Sequence, residues 1–265
     1  MTDPITSRNN PRIKLAAKLR DRRARREQQR IIIDGVREIG RALDAGVEFI
    51  EAFVCEAGIN DDQLPRRLAE KGCDIVVVNQ SVLDKIAFGD RSDGIVAVAK
   101  PPQKDLNSLT LQDEMLVAVL ENVEKPGNIG AVLRSADAAG LSAVIVADAG
   151  TDLYNPNSIR ASAGTIFSMP IVACSSEEAL SWLRQHGFNV VATRVDGAVD
   201  YTNVSYSGRY AIVLGSEADG LSDAWEGNDI TAVLLPMRGV GDSLNVSVTA
   251  AVLFYEALRQ RASQR

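Results

Sequence analysis

Residues 234–259 read LLPMRGVGDSLNVSVTAAVLFYEALR. Leu234-Leu235-Pro236 reads as the end of a buried strand, residues 238–242 as a short glycine loop, and the remainder as a long apolar helix. Ser243 or Asn245 is placed to cap that helix, because a short side-chain oxygen satisfies a free N–H of the first turn. Leu244, Val248, Ala251, Val252, Tyr255 and Leu258 follow helical spacing. Val246, Ala250, Leu253 and Ala257 form a second apolar stripe. A helix apolar on two faces must bury both. One face is expected on its own sheet, the other against further protein such as a second subunit.

The same strand–loop–helix alternation runs back through the chain. Strands are expected at residues 31–34, 49–55, 74–79 and 94–99, with helices at 35–46, 61–72 and 81–87 between them. Residues 11–30 read as one helix on which Lys18, Arg22, Arg26 and Arg30 share a face. Residues 100–105, KPPQKD, break the pattern as a polar, proline-containing linker. A second series follows, with strands at 115–120, 142–147, 169–173, 189–193, 210–214 and 230–235. Helices are expected at 130–139 and 177–186, and an irregular stretch with a short helix at 148–164. The fold class is therefore α/β, with a small N-terminal α/β domain and linker over 1–105 and an open, mostly parallel sheet over 106–265.

At 265 residues the chain has room for two domains. No apolar run reaches membrane-span length. The amino-terminal residues are polar and basic, so secretion is not expected and the cytoplasm is. The three cysteines, Cys55, Cys73 and Cys174, form no close pair, and read as small buried hydrophobes in a reducing compartment. Residues 1–41 hold 12 Lys/Arg against 5 Asp/Glu, a balance of +7, whereas the rest holds 17 against 30, a balance of −13. A basic head on an acidic body points to a polyanion bound at the head, with Lys18, Arg22, Arg26 and Arg30 as its nucleic-acid contacts.

Three stretches could carry chemistry. In residues 121–140, ENVEKPGNIGAVLRSADAAG, a strand ends and a helix begins, a geometry that binds anions. Neither a dinucleotide nor a P-loop glycine pattern is present. Arg134, one turn into a helix starting at Gly130, could grip a phosphate bidentately, or simply pair with Asp137. In residues 212–223, IVLGSEADGLSD, Glu217 lies between Gly215 and Gly220, and Ser222 is placed to cap a following helix. In the opening stretch, Gly239 and Gly241 are followed by Leu244 where a third glycine should stand. That argues against a pyrophosphate loop and permits a loop wrapped around an adenosine-like ligand. His186 is the only histidine, at an expected helix end, so neither a Ser–His–Asp triad nor a zinc site is expected.

In this order and spacing, the three stretches resemble the motifs of the SpoU-type (TrmH-like) RNA 2′-O-ribose methyltransferases. The first motif matches Asn122, Asn128, Gly130, Arg134 and Ala136, with Gly140 one position early or late depending on gapping. The second matches Leu214, Gly215, Ser216 and Glu217 with Gly220-Leu221, and the third runs from Pro236-Met237 through Ser243-Leu244-Asn245 to Ser247. Residues 159–167, IRASAGTIF, resemble a further family segment. More loosely, Arg8-Asn9-Asn10-Pro11, Asp34-Gly35 and residues 93–97 are similar to the ribosomal-protein-like RNA-binding domain that many of these enzymes carry.

The resemblance implies a deep trefoil knot, a homodimer through the C-terminal helix, and S-adenosylmethionine held by Leu214, Gly215, Ser216, Leu235, Met237, Ser243, Leu244 and Asn245. It implies catalytic roles for Arg134, Asn128, Glu217 and Ser243 and an RNA substrate, ribosomal RNA foremost; the lone histidine and scattered cysteines already leave no metal expected. Transfer RNA as substrate, or a non-catalytic RNA-binding or ribosome-assembly factor on the same fold, are the alternatives.

Overall fold

The computed structural model describes residues 4–59, 61, 63–88, 93–196 and 199–263. The chain opens with α1 (Pro11–Lys18), α2 (Arg22–Gln28), β1 (Ile31–Asp34), α3 (Val36–Asp44), β2 (Phe49–Val54), α4 (Gln63–Glu70), β3 (Asp74–Val77), α5 (Gln80–Ile86) and β4 (Ile95–Ala99). It continues through β5 (Met115–Glu121), α6 (Pro126–Ala139), β6 (Ala143–Ala147), α7 (Pro156–Ala161), α8 (Thr165–Ser168), β7 (Ile171–Cys174) and α9 (Ser176–Gln185). The last elements are β8 (Asn189–Thr193), β9 (Val199–Asp200), β10 (Arg209–Leu214), β11 (Ile230–Leu234) and α10 (Val246–Ala262). Two compact units result: Met1–Gln103 with Tyr154–Ser168, and Lys104–Leu153 with Met169–Arg265.

The first unit is built on a four-stranded sheet of order β1-β4-β2-β3, in which only β2 and β3 run parallel. Ile13, Leu19, Phe53, Leu83 and Ile86 fill its core. The single helix expected over 11–30 is in fact two. The Asp21 side chain accepts from the N–H groups of Arg23 (2.8 Å) and Ala24 (3.2 Å), so an aspartate that competes with the backbone starts a new helix. Lys18, Arg22, Arg26 and Arg30 therefore do not share one helical face: Lys18 ends α1, Arg22 and Arg26 lie on α2, and Arg30 follows it. Part of the basic run is structural. Arg25 is buried and donates to the carbonyls of Leu19 (2.8 Å) and Arg20 (2.7 Å), and Arg12 bridges Glu51 (2.6 Å) and Asp74 (2.7 Å).

The segment 154–168 completes this unit, with α7 packed on β1 and α8 on α3, and with Ile159, Ile166 and Phe167 buried. Arg160 donates to the Phe88 carbonyl and Arg20 to that of Ala87, and both guanidiniums lie 6.0 Å from the Phe88 ring centre. Asp34 accepts from the Phe88 N–H. Burial pushes the Asp34 carboxyl up to about 6, against the pull of that N–H and of Arg160. The unfolded group titrates near ~4. Between those values the native chain holds more protons than the unfolded one, so Asp34 costs stability as pH rises through the window. Asp34→Asn, which still accepts from Phe88, should melt like the wild type below about pH 4 and increasingly above it as pH rises to about 6, with a constant gain beyond. Melting curves across that range check it, and a pH-independent difference would contradict it.

The second unit contains seven strands in the order β7-β6-β5-β10-β8-β11-β9, every neighbouring pair parallel. The mostly parallel sheet expected from sequence is present. Its strands are near-continuous apolar runs, as strands covered on both faces require. Met115–Glu121 and Ala143–Ala147 are buried along their whole lengths. Val117, Val119, Ile145, Val190, Val213, Trp182 and Trp225 belong to one core. The chain first builds outward from β5 through β6 to β7, then crosses to β8 and inserts β10 between β5 and β8. Ligand crevices in such sheets lie at the carboxyl ends of strands where the order reverses.

The closing helix α10 buries Val246, Ala250, Leu253 and Ala257, the second of its two stripes, together with Phe254, and packs on α6 and β10. The first stripe is left open: Val248, Tyr255 and Leu258 are 47%, 51% and 39% exposed. Among the described residues no helix is long and apolar enough to cross a membrane.

Candidate active site

The sheet positions the site by delivering three loops to one edge. After β5 the chain turns at Asn122, whose φ is +49°, and enters α6 at Pro126. The helix was expected from Gly130. It begins four residues earlier because proline suits the first helical position, where its missing N–H leaves nothing unsatisfied. Arg134 therefore stands about 12 Å along the axis from the helix start rather than one turn in. It is exposed, and among the described residues it forms no ion pair, so the Asp137 pairing is absent.

After β10, residues 215–222 fold into a tight loop. Ser216 and Gly220 exchange backbone hydrogen bonds (3.0 and 3.2 Å), and the Ser216 hydroxyl accepts from the Asp219 N–H at 2.9 Å. Gly220 has φ +69°, and a Cβ on Gly215 would come within 2.3 Å of the Gly220 carbonyl group. Ser222 does not cap a helix with its side chain. Its hydroxyl (2.6 Å) and its N–H (2.8 Å) both go to Glu121, a carboxylate only 3% exposed that also accepts from the Ser176 hydroxyl at 2.8 Å. A buried carboxylate persists only when donors satisfy it, so this node ties the end of β5 to the loop after β10.

After β11 the loop returns to α10, and of the two expected caps Asn245 is the one used. Its Oδ1 accepts from the Ser247 N–H (3.0 Å) and hydroxyl (2.6 Å). Its Nδ2 turns the other way, to Asn128 Oδ1 (3.3 Å) and to Glu217 Oε1. Glu217 Oε1 also accepts from Asn128 Nδ2 at 3.1 Å, and Oε2 from the Lys125 ammonium. Residues from three separated stretches thus meet on one carboxylate. The Lys125 contact, with the Asn128 and Asn245 amides, holds Glu217 below the usual carboxylate range.

Glu217 also lines a cleft of about 530 Å³, within the range of small-molecule sites. Leu214, Gly215, Ser216, Leu235, Met237, Ser243 and Leu244 line it, and Asn245 stands beside it through Glu217. Ser243 faces the cleft, separate from the Asn128–Glu217–Asn245 cluster. Sequence reading missed Leu234, Thr249 and above all Thr193, Arg194, Val195 and Asp196, at and just beyond the carboxyl end of β8. Only the sheet order could have found those four: β8 lies between the two motif-bearing strands, β10 and β11. Arg194 is neutralised by Asp196 (2.9 Å) and Glu226 (2.5 Å). Asp196, Glu217, Asp219 and Asp242 otherwise make the lining acidic. An apolar wall of leucines with a carboxylate-rich rim suits an aromatic heterocycle joined to a cationic group.

His186 caps α9, with Nδ1 2.8 Å from the Trp182 carbonyl oxygen and its ring 4.8 Å from that of Trp182, and takes no part in the cleft.

A model of the SpoU rRNA methylase family matches residues 115–255, and one of the MRM3-like substrate binding domain matches residues 10–97. The chain is 30% identical to the 23S rRNA (uridine(2479)-2′-O)-methyltransferase of Streptomyces viridochromogenes, over 98% of this chain and 93% of that one. A solved RNA 2′-O ribose methyltransferase is 44% identical and covers 98% of this chain and all of its own, with a TM-score of 0.85. The SpoU methyltransferase AviRb of S. viridochromogenes, solved with AdoMet, is 28% identical over 97% of this chain and 100% of its own, with a TM-score of 0.87.

Proposed function

We propose, from the premise that this chain belongs to the SpoU rRNA methylase family, that it transfers a methyl group from S-adenosylmethionine to a ribose 2′-hydroxyl of 23S ribosomal RNA. The observation that carries the reading is the convergence of Asn128, Glu217 and Asn245 on the rim of the acidic, leucine-walled cleft. Bound S-adenosylmethionine supplies an electrophilic methyl on a sulfonium, which needs positioning more than activation. Leu214, Leu235, Met237 and Leu244 would enclose its adenosine part, and the rim carboxylates would face its positive charge.

The remaining work falls to the protein. A ribose hydroxyl is a weak nucleophile until its proton is drawn off. Arginine stays protonated and cannot be the base. Arg134 instead orients an RNA phosphate and offsets the charge developing on the attacking oxygen. Asn128 and Glu217 hold the hydroxyl. Ser243 orders the cofactor loop, and Asn245 joins that loop to the cluster.

The unit containing Met1–Gln103 reads the RNA through Lys18, Arg22 and Arg26, which are exposed, with Arg30 nearer to Glu51 at 4.0 Å. The knotted topology and action in the cytoplasm belong to the same reading, and the insertion of β10 between β5 and β8 supports the knot. The homodimer belongs to this reading as well. The open stripe of α10 is an apolar face that a second copy would cover, and Leu244 and Met237 beside the cleft are also partly exposed. Val248→Glu should therefore give a monomer by sedimentation and weaken S-adenosylmethionine binding about tenfold, roughly the ~1.4 kcal/mol of one decade. A monomer that binds the cofactor normally would break the link between dimer and site.

Labelled S-adenosylmethionine incubated with 23S rRNA and with bulk tRNA tests the substrate. Label is expected in 23S rRNA. Label in tRNA alone would favour the tRNA alternative, and tight RNA binding without transfer to either would favour a non-catalytic factor.

A further inference from the structure

We propose that Lys125 is an RNA-phosphate contact of the site, and that in taking the phosphate it releases Glu217 Oε2 to the target ribose. The proposal rests on the methyltransferase reading above and names how that site receives its substrate.

Four side chains make up the cluster, and they are not equally fixed. Asn245 is tied to Ser247 by two bonds and caps α10. Asn128 lies within α6 and is bonded to Asn245 as well as to Glu217. Both amides serve Oε1, which fills the two lone-pair positions of that oxygen. Oε2 takes Lys125. Among the described residues the Lys125 ammonium touches only Glu217, and its side chain is 69% exposed on a flexible stem. Its backbone is nevertheless anchored, because its carbonyl accepts the Asn128 N–H at 3.0 Å at the start of α6. The ammonium is thus tethered at a fixed place and free to exchange partners, since an exposed ion pair is weakly held.

The chemistry of RNA matches this pair. The 2′-hydroxyl and the 3′-phosphodiester sit on adjacent ribose carbons, a hydrogen-bond donor beside an anion. Lys125 and Glu217 present the complement, a cation beside an acceptor. Exchanging the internal ion pair for the two groups of the nucleotide loses one contact and makes two. In the free protein the pairing keeps the carboxylate ionised and screened. With RNA bound, Oε2 becomes an acceptor aimed at the hydroxyl.

The test uses the full chain, labelled S-adenosylmethionine and a 23S rRNA transcript, with RNA binding and turnover both followed as a function of salt. Lys125→Ala should raise KM for RNA about tenfold and reduce the slope of log affinity against log salt by about one, the signature of one lost phosphate contact. S-adenosylmethionine binding and melting temperature should stay unchanged, and Lys125→Arg should restore the slope. The acid limb of the kcat/KM profile should move to higher pH in the alanine variant, because Glu217 loses its cation. A wild-type salt slope and KM in Lys125→Ala would overturn the proposal, even if kcat fell. Wild-type protein that binds RNA but never methylates it would overturn the parent reading instead, and the binding slope alone would then decide Lys125.

Discussion

Arg134→Ala is expected to lower methyl transfer to RNA by about 10²–10³-fold, the usual loss when one preorganised donor to developing charge is removed. The structure makes this variant unusually clean. The apolar side of α6 is Ile129, Val132, Leu133 and Ala136, all buried, whereas Arg134 points to the exposed side. Among the described residues it holds no ion pair that would be lost with it. Its removal should leave the melting temperature within the ±0.5 kcal/mol typical of a surface site, or about 2 °C for a domain of this size. S-adenosylmethionine binding should be untouched, since Arg134 does not line the cleft. Arg134→Lys should recover little, because a point charge does not replace a planar fork at a phosphate. Single-turnover assays with saturating RNA, beside calorimetric cofactor titration, separate the outcomes. Near-normal transfer by the alanine variant would remove Arg134 from the mechanism.

Gly215→Ala should do the opposite: spare the RNA contacts and damage the cofactor loop. An added Cβ would lie 2.3 Å from the Gly220 carbonyl carbon and oxygen and 2.6 Å from the Leu221 nitrogen, all of them backbone. Backbone held by the Ser216–Gly220 bonds and by the Glu121–Ser222 node cannot step aside without opening the loop. Overpacking of this kind costs about 1–3 kcal/mol. Spent on the loop, that is roughly a ten- to hundredfold loss of S-adenosylmethionine affinity. Gly127→Ala is the control. Nothing lies within 4 Å of the Cβ it would add, in the first turn of α6, and alanine there should be neutral or stabilising by about 0.5–1 kcal/mol. Equal cofactor affinity in the two variants would show that Gly215 is not needed for the loop.

Much of this arrangement is legible in the chain, for reasons that can be named. The strands of the second unit read clearly because a parallel sheet covered on both faces demands unbroken apolar runs. Asn128, Glu217 and Asn245 stand out because each follows a strand end and accompanies turn-forming glycines or a helix start. What brings them together, hydrogen bonds across 89 and 117 residues of sequence, is a property of sheet order.

Local chemistry could have improved two readings. Pro126 marks the true start of α6, although with its glycines it reads as a turn, and Asp21 marks the break between α1 and α2, although the spacing of the basic residues runs through it. Ser222 looked like a cap since a serine before a short helical turn usually is one. Its use by Glu121 depends on β5 and β10 being neighbours. Thr193–Asp196 carry no motif at all and enter the cleft only because β8 lies between β10 and β11. The apolar residues of 154–168 announce burial but not where. Ile159, Ile166 and Phe167 are covered within the first unit, beside β1 and α3.

The central claim is that the cleft and the Asn128–Glu217–Asn245 cluster serve methyl transfer to a ribose oxygen. The direct test is to methylate 23S rRNA with the full chain and labelled S-adenosylmethionine, digest the RNA to nucleosides, and identify the labelled one by mass spectrometry. The account predicts label on a single 2′-O-methylribose, resistant to alkaline cleavage at that position because the neighbouring hydroxyl is blocked. Label on a nucleobase, or no transfer by a protein that binds both RNA and cofactor, would contradict it.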